Sequence, residues 1–154
     1  MALLCSILCT LMLLGSADAA DADDRRDTEK PEKIRTLAKG GFSGFQEPAK
    51  IVITNATQFA EVWKKHSAIQ SPVKPLPKVD FDKETVLFVA LGRRNSGGHA
   101  VEIADIKPSE EKTEVLLKVR APRPGGIQLQ AITAPFHLAA VPKIEGPVKF
   151  NVTP

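Results

Sequence analysis

Short apolar runs separated by polar turns fill most of the chain after residue 48, which is typical of β-strands. The run Val86–Leu91 is continuously apolar, as expected for a central strand that is covered on both faces. Val101 and Ile103 alternate with polar positions, but Ile106 is out of phase with them, which predicts a β-bulge. The runs that predict strands are 49–54, 86–91, 100–106, 114–120, 127–131 and 148–152.

One segment has the helical period instead. Within Ala56–His66 the apolar residues Phe59, Val62 and Trp63 recur at i, i+3 and i+4, so they predict an amphipathic helix with this face in the core. Either Asn55 or Thr57 can cap its first turn.

Three prolines, Pro72, Pro75 and Pro77, then predict that Ser71–Lys78 is an extended connection, because proline removes a backbone donor and disfavours helix before it.

These elements together predict a mainly β protein of the α+β class. About six mostly antiparallel strands would form a sandwich or barrel-like sheet, with the single amphipathic helix packed on it. The strands and helices do not alternate, so a parallel doubly wound sheet is not expected.

The N-terminal segment differs in composition from the rest. Residues 2–14 are almost wholly apolar and precede Ala17-Asp18-Ala19, which predicts a signal peptide over residues 1–19 with cleavage after Ala19. The apolar run is shorter than the roughly 20 residues that span a bilayer, so we expect no membrane insertion after cleavage. Cys9 follows Leu8 and not a small residue, which argues against a lipid anchor.

Residues 20–33 carry both signs of charge and no large apolar side chain, which predicts a disordered linker. A single domain over 34–154 follows, and the protein would be exported to a periplasmic or extracellular location.

Charge and composition exclude several classes of function. The formal net charge of +3 is spread along the chain, and one Trp with no Tyr offers no stacking surface, so nucleic-acid binding is not expected. Cys5 and Cys9 both lie in the predicted signal peptide, and His66, His99 and His137 lack metal-ligand spacing. We therefore predict no metal and no cofactor. His66 would end the helix, where a partial positive charge complements the helix dipole.

The turn Gly92–Gly98, GRRNSGG, joins two predicted strands. Phosphate-binding glycine loops open a helix, so that function is not expected here. Its glycines indicate positive φ or close backbone approach, and Arg93 with Arg94 could bind partner carboxylates through bidentate hydrogen bonds. A hairpin turn with solubilising arginines remains an open alternative.

A second irregular loop, Arg120–Gly126, RAPRPGG, follows another predicted strand. If both loops lie at one edge, Arg93, Arg94 and Arg123 would form a basic rim. The predicted binding residues are Arg93, Arg94, Asn95, Gly97, Gly98, His99, Arg123, Gly125 and Gly126.

Catalysis has weak support in the sequence. Ser96, His99 and either Glu102 or Asp105 could be combined into a triad, but no nucleophile elbow is present. We therefore predict no catalytic residues and no enzyme. A small exported hydrolase would require His99 or His137 in a concave pocket beside a second ionisable group.

The stretches 86–103, VLFVALGRRNSGGHAVEI, and 121–136, APRPGGIQLQAITAPF, make Val79–Asn151 resemble the C-terminal domain of the protease complex subunit PrcB family. These are non-catalytic proteins that associate with a surface protease. Where the family often has an aromatic residue, this chain has His99. The residues that carry the resemblance are Gly92, Gly97, Gly98, Val101, Ile103, Pro122, Pro124, Gln130, Thr133 and Pro135.

The resemblance implies an exported, non-enzymatic domain that docks on another exported protein, such as a protease, through the two loops. A loop-wedge protease inhibitor is the related alternative, because rigid loops bind with little loss of entropy. A further alternative is that the arginines of the basic rim bind an acidic envelope polymer. Such binding would weaken steeply as the salt concentration rises.

Overall fold

Seven strands and one helix make up the part of the chain that the computed structural model describes, residues 34–123, 125 and 130–153. The strands form two sheets, ordered β1-β6-β3-β2 and β4-β5-β7. Paired strands are antiparallel except β5 and β7, which are parallel. The elements are β1 (Arg35–Gly40), β2 (Pro48–Ile53), α1 (Ala56–Ser67), β3 (Glu84–Leu91), β4 (Ala100–Pro108), β5 (Thr113–Arg120), β6 (Phe136–Pro142) and β7 (Val148–Thr153).

The predicted fold class is confirmed, and the sheets do not close into a barrel. They instead form the middle and outer layers of a three-layer arrangement, with the helix as the third layer. Alternate residues of β3 supply the two interfaces. Val86 and Phe88 pack with the helix, whereas Leu87 and Val89 pack with the second sheet.

This double burial explains why β3 has no polar face. Burial of each large apolar side chain contributes roughly 1.5–3 kcal/mol, so the central strands β3 and β6 dominate the core.

The structure confirms the predicted helix and the face that it buries. It covers Ala56–Ser67, and Phe59, Val62 and Trp63 are buried. Of the two candidate caps, Asn55 is used, because its side chain accepts a hydrogen bond of 2.8 Å from the Gln58 backbone N–H.

The proline-rich segment after the helix lies outside helices and strands, as predicted. The Trp63 indole N–H donates to the Lys74 carbonyl over 3.1 Å and fastens this segment to the helix.

The predicted bulge is also confirmed. The pairing register of β4 with β5 shifts between Ile103 and Asp105, which leaves Ala104 unpaired and restores Ile106 to the buried face. A second register shift lies in β1, between Thr36 and Ala38.

Two strands of the structure, β1 and β6, are not predicted by the sequence, and one predicted strand is wrong. β1 was not expected, and the strand expected over 127–131 is wrong where the structure describes it, because Gln130 and Ala131 lie outside any strand. Residues 127–129 lie outside the described residues. The strand that occupies the centre of the sheet is β6, further along the chain. Its buried run has no polar alternation, and alanine is a weak strand former.

The predicted signal peptide, 1–19, and linker, 20–33, lie outside the described residues. The described residues belong to one compact unit, Pro31–Pro154. No helix in that part of the chain is long and apolar enough to cross a membrane.

Candidate functional site

The two loops predicted to bind a partner lie at the same end of the second sheet. Ala100, where β4 begins, pairs with Arg120, where β5 ends, so the loop before β4 and the loop after β5 leave the sheet side by side. They also touch. A Cβ built on Gly98 would come within 3.0 Å of the Pro122 Cβ atom.

Two further segments, 41–47 and 130–135, join the first loop, and backbone hydrogen bonds hold these three segments together. The Arg93 N–H donates to the Gln46 carbonyl over 2.7 Å, and Arg94 forms a two-way antiparallel bridge with Thr133 at 2.7 and 2.9 Å. The Thr133 hydroxyl donates to the Ser96 carbonyl over 2.9 Å. We call this surface the loop platform, formed by residues 41–47, 92–99, 120–123, 125 and 130–135.

The sequence did not reveal that 41–47 and 130–135 belong to the platform. These segments are joined to the first loop mainly through backbone groups, which every residue carries, so no side-chain pattern marks the connection. The glycines at 40, 41 and 44 were the available signal.

Close backbone packing explains two of the predicted glycines. Gly92 has φ +71°, and a Cβ there would lie 2.7 Å from the Glu47 carbonyl carbon and the Pro48 nitrogen. Gly98 has φ +83° as well as its contact with Pro122. Other residues would be strained at both positions, so the loop path depends on glycine.

The outward side of the loop platform combines cations with apolar groups. Arg93 and Asn95 are exposed, and Arg94 is partly buried with its Nε atom lacking a hydrogen-bond partner among the described residues. Phe42 and Ile132 are 58% and 56% exposed. These two apolar residues lie on adjacent segments, because the Ala134 N–H donates to the Gly41 carbonyl over 2.8 Å.

The remaining predicted residues have different environments. Gly97 is buried, whereas Arg123 and Gly125 are exposed in the second loop. Gly125 has φ +75° and open space around it. Gly126 lies outside the described residues.

The possible triad of the first loop does not assemble. The His99 Nε2 atom lies 3.5 Å from the Ser96 Oγ atom, at the limit of a hydrogen bond. Glu102 forms an ion pair of 2.9 Å with Lys39 instead, and the Asp105 carboxylate accepts from the Ile106 N–H over 2.8 Å.

His66 is a core residue, which makes its predicted role as a charged complement to the helix dipole wrong. It is 1% exposed, and burial lowers its pKa, with a further lowering by Lys74, so the neutral ring is favoured. Its Nδ1 atom lies 3.1 Å from the Ser43 Oγ atom, and its Nε2 atom lies 3.0 Å from the Gln70 amide nitrogen. Ser43 is fully buried, so this pair presents no nucleophile to a substrate.

His137 is also buried, and it joins the two sheets. Its Nδ1 atom accepts a hydrogen bond of 2.8 Å from the Ile103 N–H. The proton of the neutral ring is therefore on Nε2, which donates to the Thr36 hydroxyl over 3.0 Å. Burial, reinforced by Lys39, lowers the pKa of His137 to about 4.

No group of three or more His, Cys, Asp or Glu residues suited to a metal ion occurs in the described part of the chain.

Comparison with known proteins gives one match. No curated protein and no solved structure matches the chain. Residues 85–142 match the family model PrcB_C, described as PrcB C-terminal. The matched segment begins in β3 and ends with β6, so it includes both central strands and most of the loop platform. The family whose model matches residues 85–142 is thus the same family that the sequence resembles.

Proposed function

We propose that this chain is an exported, non-enzymatic docking domain that binds another exported protein, a protease or a subunit of a protease complex, through the loop platform. One observation carries the proposal. Backbone hydrogen bonds fix segments 41–47, 92–99 and 130–135 to one another, and these segments expose one basic side chain, Arg93, and two apolar ones, Phe42 and Ile132.

Such a surface suits protein recognition for physical reasons. Loops that are already fixed lose little entropy on binding, and aromatic and arginine side chains supply much of the energy of protein interfaces. Arg93 and Arg94 are suited to paired hydrogen bonds with a partner carboxylate.

Two further observations support the proposal. The match to the PrcB C-terminal family suggests an association with a protease complex. The hydrogen bonds of His66 and His137 are with groups of the domain itself, which suits structural roles for these residues.

Capture of partners from the organism's own secreted or periplasmic fraction tests the docking surface. We expect the double variant R93Q/R94Q to recover at least about tenfold less partner than the wild type, because arginine side chains supply much of the energy of protein interfaces. The matched control is K107Q/K143Q, which removes the same charge from exposed positions outside the loop platform. Equal recovery by R93Q/R94Q and K107Q/K143Q would contradict the proposal.

The apolar part of the loop platform has its own control pair. Phe42→Ser should reduce partner capture, whereas Val152→Ser, at a similarly exposed position on β7, should not. If Phe42→Ser retains full capture, the apolar contact is not part of the interface.

A protease assay separates docking from inhibition. A scaffold leaves the captured protease active toward a peptide substrate, whereas a loop-wedge inhibitor blocks it in proportion to the domain added. Export is tested by sequencing the N-terminus of the protein isolated from outside the cytoplasm, where cleavage after Ala19 is expected.

A further inference from the structure

A second concave site lies outside the loop platform. It is a pocket of about 260 Å³ between β1, the last turn of α1 and the proline-rich segment that follows. Trp63 and Phe136 contribute aromatic walls, and His66, Gln70 and Lys74 contribute polar groups. Small-molecule sites typically occupy about 300–1,000 Å³, so this pocket suits one side chain better than a cofactor.

The strand beside the pocket is the outermost of its sheet. β1 pairs with β6 on one side, and no described strand pairs with its other side. Leu37, Ala38 and Lys39 all line the pocket, although Leu37 and Ala38 pack on the helix side of the sheet and the Lys39 side chain pairs with Glu102 of β4. Backbone groups of β1 therefore border the pocket. An edge strand of this kind can accept an added strand from another polypeptide.

The opposite wall cannot complete the sheet by itself. It contains Pro75 and Pro77, which have no backbone N–H to donate to β1. The Lys74 carbonyl already accepts the Trp63 indole N–H.

The polar groups of the pocket specify what else the ligand should carry. The Gln70 Oε1 atom is buried and has no hydrogen-bond partner among the described residues, which is unfavourable unless a donor is supplied. The terminal torsion of glutamine is broad, so a small rotation can turn this oxygen toward the pocket. The Lys74 ammonium lies close enough to His66 to lower the pKa of that ring, which places a positive charge beside the pocket.

We propose that this pocket binds the C-terminal residue of a polypeptide whose preceding residues add as a strand to the edge of β1. An apolar last side chain packs between Trp63 and Phe136. The N–H of that residue donates to the Gln70 oxygen, and its terminal carboxylate pairs with Lys74. The proposal goes beyond the proposed function, because none of these residues belongs to the loop platform.

The chain contains its own reporter for this site, since Trp63 is its single tryptophan and lines the pocket. The probe is an acetylated pentapeptide that ends in leucine with a free carboxylate, titrated against the wild-type protein. We expect a saturable change in Trp63 fluorescence. The same peptide with a C-terminal amide should bind at least about tenfold more weakly, because it lacks the charge that pairs with Lys74. Acetyl-leucine alone should also bind more weakly, because it cannot pair with β1 along a strand.

Two lysines of the proline-rich segment provide a matched pair of variants. Lys74→Gln should weaken binding of the carboxylate peptide about tenfold, whereas Lys78→Gln, also exposed but outside the pocket, should leave it unchanged. Both positions are on the surface, so neither variant should prevent folding. The double variant R93Q/R94Q should bind the peptide as the wild type does, which separates this site from the loop platform.

Three results would overturn the proposal. They are the absence of saturable binding, equal affinity for the carboxylate and amide peptides, or unchanged affinity in Lys74→Gln. If acetyl-leucine binds as tightly as the pentapeptide, the added strand on β1 is wrong.

Discussion

Two histidines are among the most buried side chains of this domain, and both form hydrogen bonds with the rest of the protein. Histidine can remain neutral in such a setting because one ring nitrogen accepts and the other donates. His137 uses this property to connect β6 with the bulged region of β4, where the Ile103 N–H would otherwise lack an acceptor in the core. Protonation of Nδ1 would remove that acceptor and bury a charge.

The pKa of His137 therefore predicts a loss of stability in acid. It is about 4 in the folded protein and 6.5 when unperturbed, so between these values the unfolded chain binds more protons. The free energy of unfolding should be constant with respect to this group above about pH 6.5 and should fall by roughly 3 kcal/mol toward pH 4. Urea unfolding at a series of pH values measures this change in the free energy of unfolding.

His137→Asn is the informative variant, because asparagine can still accept near the Nδ1 position but does not titrate. It should lose less stability than the wild type over the same pH interval, even if it is less stable at neutral pH. The loss of stability that remains in this variant is expected from His66, whose pKa is also lowered by burial. An unchanged pH dependence in His137→Asn would show that this histidine does not carry the effect.

Among the elements, α1 follows most directly from local sequence. Its apolar period, its polar face and its cap all point to one helix, and the cap choice can be tested separately. Asn55→Ala should lower the free energy of unfolding by about 1 kcal/mol, because the Gln58 N–H loses its acceptor.

Thr57→Ala is the control at the other candidate cap, one position before Gln58 on the exposed surface. It should change stability by less than about 0.5 kcal/mol. If chemical denaturation gives Thr57→Ala the larger effect, the cap assignment is incorrect.

The strands show where local sequence stops being sufficient. β4 and β5 have one buried face, so their alternation predicted them, and even the bulge in β4 was detectable from the phase of Ile106. β6 is buried on both faces and β1 is short and mostly exposed, so neither has a periodic signal. Their positions are set by pairing with each other across most of the chain.

At the scale of the whole molecule, the sequence predicted only part of the loop platform, because the contacts between its segments depend on pairing between distant residues. Glycine, proline and arginine marked the first loop correctly as an irregular connection between two strands, and they marked the second as an irregular segment that follows a strand. That these loops meet depends on the pairing of Ala100 with Arg120, and the contribution of Thr133 depends on a backbone bridge. Exposed Phe42 joins them only because the chain folds back at Gly41.

The contact between the two loops can be tested with a pair of glycines. Gly98 and Gly125 both have positive φ, but a Cβ at Gly98 would press on Pro122, whereas a Cβ at Gly125 would meet nothing within 4 Å. Each alanine substitution should cost about 1 kcal/mol for its backbone strain. Gly98→Ala should cost roughly a further 1–2 kcal/mol, because it overpacks the junction.

Chemical denaturation measures the stability of both variants, and partner capture then measures how well each one binds. Equal destabilisation by Gly98→Ala and Gly125→Ala would contradict a tight contact between the loops. Capture by Gly98→Ala should fall more than capture by Gly125→Ala.

The position of β6 has a consequence for how the protein acquires its structure. This strand lies between β1 and β3, so the first sheet lacks one of its two central strands until residue 142 is available. A nascent chain that ends before β6 leaves the inner edges of β1 and β3 without partners and half of the core without its covering. Folding dominated by such distant contacts is slow and late. The domain therefore acquires its core only after β6 has been synthesised, so the strands that precede β6 stay without their central partner until then.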